Sequence, residues 1–281
     1  MPPVISLIGA GGKMGMRITG KLAGRHDYVT RYCEVAEAGI ARLREVGQEV
    51  TPATVAVPEA DLVILAVPDR LARTVSAELV PLARPGATFL LLDPAAAMAR
   101  EIALRPELHY VVSHPCHPPL FGDQPSDEAR HDLFGGVAAW QDIVVALLQG
   151  SEEAYARTEA LCRVIFHPVR TAHRITVEQM AILEPAMAEV IGASAAVIIY
   201  EAMEEAVRRG VPRPAAESFM LGHAQVPLAI LFGVIQAKFS DAAQIAIRWG
   251  TERLIRPDWK QVFEPDQVQA AIHAMLHPEE K

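Results

Sequence analysis

Hydrophobic positions in the first half of the chain fall into short unbroken runs, at residues 4–8, 28–33, 62–67, 88–92, 110–113 and 143–148. Between several of these, apolar residues recur with helical spacing, at 13–22, 39–46 and 71–82. Unbroken runs of this length read as strands buried on both faces, and their alternation with helices is the rhythm of a parallel sheet with helical crossovers. Several runs end at a proline, as in Val67-Pro68-Asp69, Asp93-Pro94 and His114-Pro115. Proline cannot continue a ladder and biases its predecessor to extended backbone, so these points mark strand ends. After Gly150 the pattern changes. Ser151-Glu152-Glu153 offers a cap and acids for a helix start, and Thr176-Val177-Glu178-Gln179 has capping-box spacing. Helical spacing then fills 176–209, 215–234, 241–255 and 266–276, with Gly210 and Pro212 stopping the longest stretch.

The first run, Val4-Ile5-Ser6-Leu7-Ile8, opens into Gly9-Ala10-Gly11-Gly12-Lys13-Met14-Gly15 and then a helix. A buried strand, a glycine turn and a helix N-terminus together make a pyrophosphate-binding device, because glycine lets the backbone approach the phosphates and the free N–H groups of the helix face the anion. The usual G-x-G-x-x-G wants glycine at position 14. Here Gly9, Gly12 and Gly15 form a G-x-x-G-x-x-G series instead. The second strand ends at Glu34, about 20 residues beyond the turn, where an acid binds the ribose hydroxyls of NAD and repels a 2′-phosphate. Arg31 and Arg42 keep NADP open. Pro68 and Asp69, at another strand end, are candidates for the far side of the cofactor, with a plain strand-terminating turn as the alternative. The layout predicts an α/β Rossmann doubly wound parallel sheet, residues 1–150, followed by an all-α C-terminal domain for substrate and dimerisation, residues 151–281.

Composition narrows the function classes. Hydrophobic residues make up 51% of the 281, and the mean hydropathy is +0.18, so apolar surface is expected to be buried between subunits of a homodimer. A net charge of −8 with no basic run argues against nucleic acid. The N-terminus lacks a basic leader, and apolar stretches such as residues 190–200 fall short of the ~20 residues of a membrane span, which together predict a cytoplasmic protein. Cys33, Cys116 and Cys162 are scattered, with neither disulfide-framework nor zinc-site spacing, and Cys33 and Cys162 read as core residues.

Two places carry chemistry. Ser113-His114-Pro115-Cys116-His117-Pro118-Pro119 follows a late strand on the nicotinamide side, and its prolines hold the side chains at reduced entropic cost. His114 and His117 are candidate catalytic groups; the alternative is a rigid turn whose histidines bond to backbone. The second is Glu184-Pro185 within the long helix, where proline removes a backbone hydrogen bond and kinks the helix. A glutamate among apolar neighbours there is either paired, with Arg174 as a partner, or coordinates a cation. Arg174, Lys238 and Arg248 are candidates for a substrate carboxylate, or ordinary surface charges.

With Gly-Ala-Gly-Gly-Lys-Met-Gly, the His-Pro-Cys-His-Pro-Pro loop and Glu184-Pro185-Ala186 in a helical second half, the chain resembles bacterial Rossmann oxidoreductases with a phosphogluconate-dehydrogenase-like C-terminal domain. The glycine turn alone also fits dihydrodipicolinate reductase, and a shorter His-Pro occurs in prephenate dehydrogenases. The resemblance implies NAD-dependent oxidation of the 2-hydroxyl of a branched sugar acid, then migration of a hydroxymethyl group. It also implies a divalent metal for that second step, with His114 and Glu184 as ligands. Imidazole with carboxylate suits zinc or manganese. His117 or Glu178 would be a further ligand, or would instead accept the hydroxyl proton. A metal-free hydroxyacid dehydrogenase with His114 as base is the alternative.

Overall fold

The computed structural model of the protein describes residues 1–279. It divides into two compact units, residues 1–181 with 272–281, and residues 182–271.

In the first unit, strand β1 (Val4–Ile8) leads through the glycine turn to helix α1 (Lys13–Leu22), with the bounds that the apolar pattern predicts. There follow β2 (Val29–Cys33), α2 (Glu37–Glu45), α3 (Ala53–Glu59), β3 (Leu62–Leu65), α4 (Asp69–Leu79), β4 (Thr88–Leu91), α5 (Ala95–Met98) and β5 (His109–Pro115). The seven-stranded sheet has the order β2-β1-β3-β4-β5-β6-β7, completed by β6 (Gln141–Gln149) and β7 (Val169–Ile175). Strands β1 to β5 are parallel. Because β1 lies between β2 and β3, the carboxyl ends of β1 and β3 flank the switch point where such sheets take their ligands.

The sheet is not wholly parallel, as the sequence pattern predicts it to be. β6 runs antiparallel to β5, with Val112 opposite Ala146 and His114 opposite Val144. A parallel return needs a crossover across a sheet face, normally a helix of some length. Between β5 and β6 the only helix is α6 (Asp127–His131), five residues long.

The first unit also runs past Gly150, where the texture of the sequence changes. Helix α7 (Glu152–Ile165) buries Tyr155, Leu161, Cys162 and Ile165 in the same core cluster as Ile5, Leu7 and Ile18. Strand β7 then joins β6 in parallel, Ile143 beside Ala172 and Val145 beside Arg174. Its apolar residues Val169, Ala172 and Ile175 stand three apart, a spacing that reads as helical in sequence. Asp142 holds it in place instead, accepting the Thr171 N–H at 3.0 Å and contacting His173 Nε2 at 3.2 Å. Cys33 and Cys162 are buried, as expected of core residues.

Helix α8 (Val177–Arg208) starts with the predicted capping box, Gln179 N–H on Thr176 Oγ1 at 3.2 Å and Thr176 N–H on Gln179 Oε1 at 3.0 Å. Its middle, Ile182–Ala193, widens to π-helical bonding around Pro185. Widening accommodates a residue that lacks an N–H and crowds the preceding turn. The second unit continues with α9 (Arg213–Leu231) and α10 (Asp241–Leu254). α11 (Pro265–Leu276) ends the fold, and His277 Nε2 meets Glu101 Oε1 of the first unit's own surface at 2.7 Å. Among the described residues α8 is the one helix long and apolar enough to cross a membrane, longer than the 190–200 run considered in the sequence.

Candidate active site

β1 stops at Ile8, and Gly9 turns the chain out of the sheet with φ of +77°. A Cβ there would lie 2.5 Å from the Ala66 carbonyl oxygen, and one on Gly15 would lie 2.0 Å from the Gly9 oxygen. Gly11 has equally little room: its Cβ would be 2.4 Å from Gly39 O. Strand, turn and helix therefore approach as closely as backbones can. Gly12 caps α1 in extended backbone, and the buried Ala10 fills the space beneath. Lys13, Met14 and Gly15 supply first-turn N–H groups at the positive end of α1, which no carbonyl within the helix satisfies.

Glu34 stands where the sequence places it, just past β2. One carboxylate oxygen accepts N–H bonds from Val35 and Ala36 at 2.8 and 2.9 Å, and the other accepts Gly11 N–H at 3.0 Å. Arg42 of α2 reaches the same residue, its Nε donating to Gly11 O at 2.8 Å. Arg31 is turned elsewhere, 3.8 Å from Glu59.

Three acid–base side chains gather at the carboxyl ends of β3, β4 and β5. His114 is half-buried, with Nδ1 2.9 Å from Leu92 O and 4.0 Å from Asp93 Oδ2. Asp93 Oδ1 accepts the Ala95 N–H at 2.7 Å. Asp69, the first residue of α4 after the capping Pro68, has its carboxyl pushed up to about 6 by burial and by Asp93, with His114 acting in the opposite direction. Asp69 thus belongs to a cluster with His114 as well as to the strand end. Asp93 is the member that sequence reading misses: Asp93-Pro94 marks a strand end there, and the same signal that singles out Asp69 was present.

His117 joins them from the loop after β5. Its φ of +60° is rare outside glycine, and Nδ1 lies 2.8 Å from Phe134 O. The His114 and His117 ring centroids are 6.2 Å apart and nearly perpendicular. In both rings the nitrogen facing a carbonyl carries the proton, because a carbonyl oxygen can only accept. Phe134 itself packs under two cations of α1, with Lys13 Nζ 4.7 Å and Arg17 Cζ 5.2 Å from the ring centroid.

Glu184 lies in the widened part of α8, in the second unit, half-buried with Oε2 shielded from solvent. Arg174 is not its partner as the sequence allowed. It pairs with Glu152 at 2.6 and 2.7 Å and covers the Tyr155 ring. Glu178 is held ionised at the start of α8, its carboxyl pulled down by its own backbone N–H and the Thr176 hydroxyl. Among the described residues no group of three or more His, Cys, Asp or Glu is placed to hold a metal ion.

A glycine turn under a helix N-terminus, an acid closing β2 and imidazoles at the end of β5 define the chain as a Rossmann oxidoreductase with a helical C-terminal part. Residues 122–276, more than half of the chain, match the family model for the C-terminal domain of phosphogluconate dehydrogenase (decarboxylating). The chain is 45% identical over 273 residues to D-apionate oxidoisomerase of Cupriavidus necator, covering 97% of this chain and 99% of that protein. It is 47% identical over 270 residues to D-apionate oxidoisomerase of Rhizobium rhizogenes, covering 96% and 98%. The crystal structure of a semialdehyde dehydrogenase NAD-binding protein from Cupriavidus necator, in complex with calcium and NAD, has a TM-score of 0.95 at 44% identity, covering 98% of this chain and all of that one. The protein belongs to the D-apionate oxidoisomerase family.

Proposed function

We propose that this protein is an NAD-dependent D-apionate oxidoisomerase that works in the cytoplasm as a homodimer. The single observation that carries the reading is the pair of imidazoles at the end of β5, both oriented by carbonyls, in a chain that matches its named relatives end to end. NAD fits the glycine turn, whose crowded Cβ positions leave bare backbone at the α1 N-terminus, and Glu34 supplies the acceptor for ribose hydroxyls. When bound, NAD takes the hydride from the carbon bearing the 2-hydroxyl.

His117 accepts the proton of that hydroxyl through Nε2, with Phe134 O holding the ring, so the alcohol becomes a ketone as it loses a hydride and a proton. In the second step a hydroxymethyl group moves from the 3-carbon to the 2-carbon. One carbon–carbon bond breaks as the other forms, the 3-hydroxyl loses its proton to become a carbonyl, and the former 2-oxo oxygen gains one. The product is 3-oxo-isoapionate, at the same oxidation level as the ketone that enters the step. His114 and Glu184 are the residues that would hold a divalent metal, and an imidazole with a carboxylate suits zinc or manganese. Such an ion would polarise the ketone and stabilise the alkoxide.

The test is incubation with NAD and D-apionate, with and without chelator and with zinc, manganese or calcium restored, following NADH and the carbon skeleton of the product. A rearranged skeleton lost with chelator is the expected result. An unrearranged 2-oxo acid formed equally well with chelator would reduce the protein to a simple hydroxyacid dehydrogenase.

A further inference from the structure

Phe134 is more than half exposed, yet its place is closely fixed. Gly135 and Gly136 follow it at φ of +74° and +84°, a left-handed pair that folds the loop back, and a Cβ on Gly135 would lie 2.5 Å from Gln141 Oε1. The ring thereby lies against α1, where Lys13 and Arg17, four residues apart, share one helix face. It also meets the His117 ring at a steep angle, with centroids 5.7 Å apart. Two cations and the proposed base thus gather on one exposed aromatic side chain. The cations are not equivalent. Burial opposes ionisation of Asp132, but three backbone N–H groups and the Arg17 charge outweigh it and hold that carboxyl below its usual range. Lys13 is exposed and stands in no ion pair among the described residues. Backbone N–H groups at the start of α1 already meet a pyrophosphate, whereas the Lys13 ammonium lies over Phe134, in the same connection as His117.

We propose that Lys13 holds the carboxylate of the substrate, with Phe134 fixing the ammonium beside the imidazole of His117. The inference rests on the reading that His117 takes the proton of the 2-hydroxyl of a sugar acid. In such an acid the carboxylate is bonded to the carbon that carries that hydroxyl, so the cation that binds it must stand near the base. Lys13 meets this condition, and Arg174, the first-unit candidate that the sequence offers, is committed to Glu152. An ammonium already placed on an aromatic face gives up little further freedom on binding, and a carboxylate gains a charge-assisted hydrogen bond from it.

The test compares D-apionate with its carboxamide, which keeps the skeleton and removes the charge, in the parent, Lys13→Met and Lys13→Arg. NADH formation follows the oxidation alone, and nicotinamide fluorescence gives the affinity for NADH. The parent is expected to favour D-apionate in kcat/KM by about 30-fold. Lys13→Met should fall by about 30-fold with D-apionate and by less than about 3-fold with the carboxamide, so that the preference disappears. Lys13→Arg, which keeps the charge, should retain a preference of about 5-fold or more, and both variants should bind NADH within about 3-fold of the parent, as folded proteins with an intact glycine turn. A full preference in Lys13→Met would overturn the inference while the reading of the reaction stands; if NADH binding were also weakened by about 10-fold, Lys13 would be a ligand of the cofactor's pyrophosphate instead. A parent that oxidises both compounds equally well would overturn it too. A parent that oxidises neither would overturn the oxidoisomerase reading itself, and this inference with it.

Discussion

Asp69 shows how a strand end tunes a residue. The carboxyl, at about 6 in the folded chain because of burial and Asp93, sits near 3.9 when unfolded. Folding therefore favours its protonated form. The stability this lends is full below about pH 4 and is lost as the pH rises through about 6. Asp69→Asn removes the loss, so without metal or cofactor the variant should be about 1 kcal/mol more stable than the parent near pH 7.5 and no more stable near pH 4. Urea unfolding at the two pH values measures this; an equal gain at both would mean that ionisation is not the cause. At this scale the sequence was informative wherever chemistry follows the chain. Glu34, His114 and the glycines stand where spacing put them, because each is fixed by residues within one βαβ unit. The meeting of Asp93 with Asp69 and His114 brings together three strands, and no local pattern contains it.

Among the elements, those built by neighbours were the legible ones. β1 and α1 have the predicted bounds because an apolar run, a glycine turn and a helical stripe each act locally. β7 escaped because a half-exposed edge strand has little apolar signal of its own, and its pairing depends on Asp142. Antiparallel β6 escaped because direction is decided by the connection, not by the strand. That connection also supports the proposed base, His117. Asp132 Oδ2 accepts the N–H groups of Val137, Ala138 and Ala139 at 2.9, 2.9 and 3.1 Å, and so fixes the segment whose Phe134 carbonyl holds His117. Asp132→Ala should lower stability by about 2 kcal/mol and reduce kcat more than it raises the Kd for NADH, whereas Asp132→Asn, which keeps an acceptor oxygen, should recover most of both. Turnover preserved in a destabilised Asp132→Ala would detach this loop from His117. The widened stretch of α8 follows the same logic: Pro185 announced a disturbance, and the form it took depends on how the surrounding helix rebonds.

For the whole molecule, the second unit leaves large apolar side chains in water. Ile198, Tyr200, Phe219, Leu231, Trp249 and Leu254 are all more than half exposed, and only 11% of the most apolar window of α8 is buried. Exposure on this scale exceeds what soluble monomers carry, and at about 25 cal/mol per Å² its burial is a substantial driving force. A membrane would serve such a helix by length. The Glu204–Arg213 ion pair and the Glu205 carboxylate, which accepts bonds from Arg208 and Arg209, put charges at one end of it, while α9 and α10 present apolar groups of their own. The second copy of the proposed homodimer would cover all three at once. The mass by light scattering should therefore be twice the 30.5 kDa of one chain. Phe219→Glu with Leu231→Glu should shift it toward one chain and cut the binding of an apolar dye relative to a heat-treated parent. Each chain carries a net charge of −8, so two copies repel, and salt that screens this repulsion should strengthen the dimer. Salt that dissolved it instead would mean that ion pairs hold the copies together and that the apolar helices lie elsewhere than at their interface.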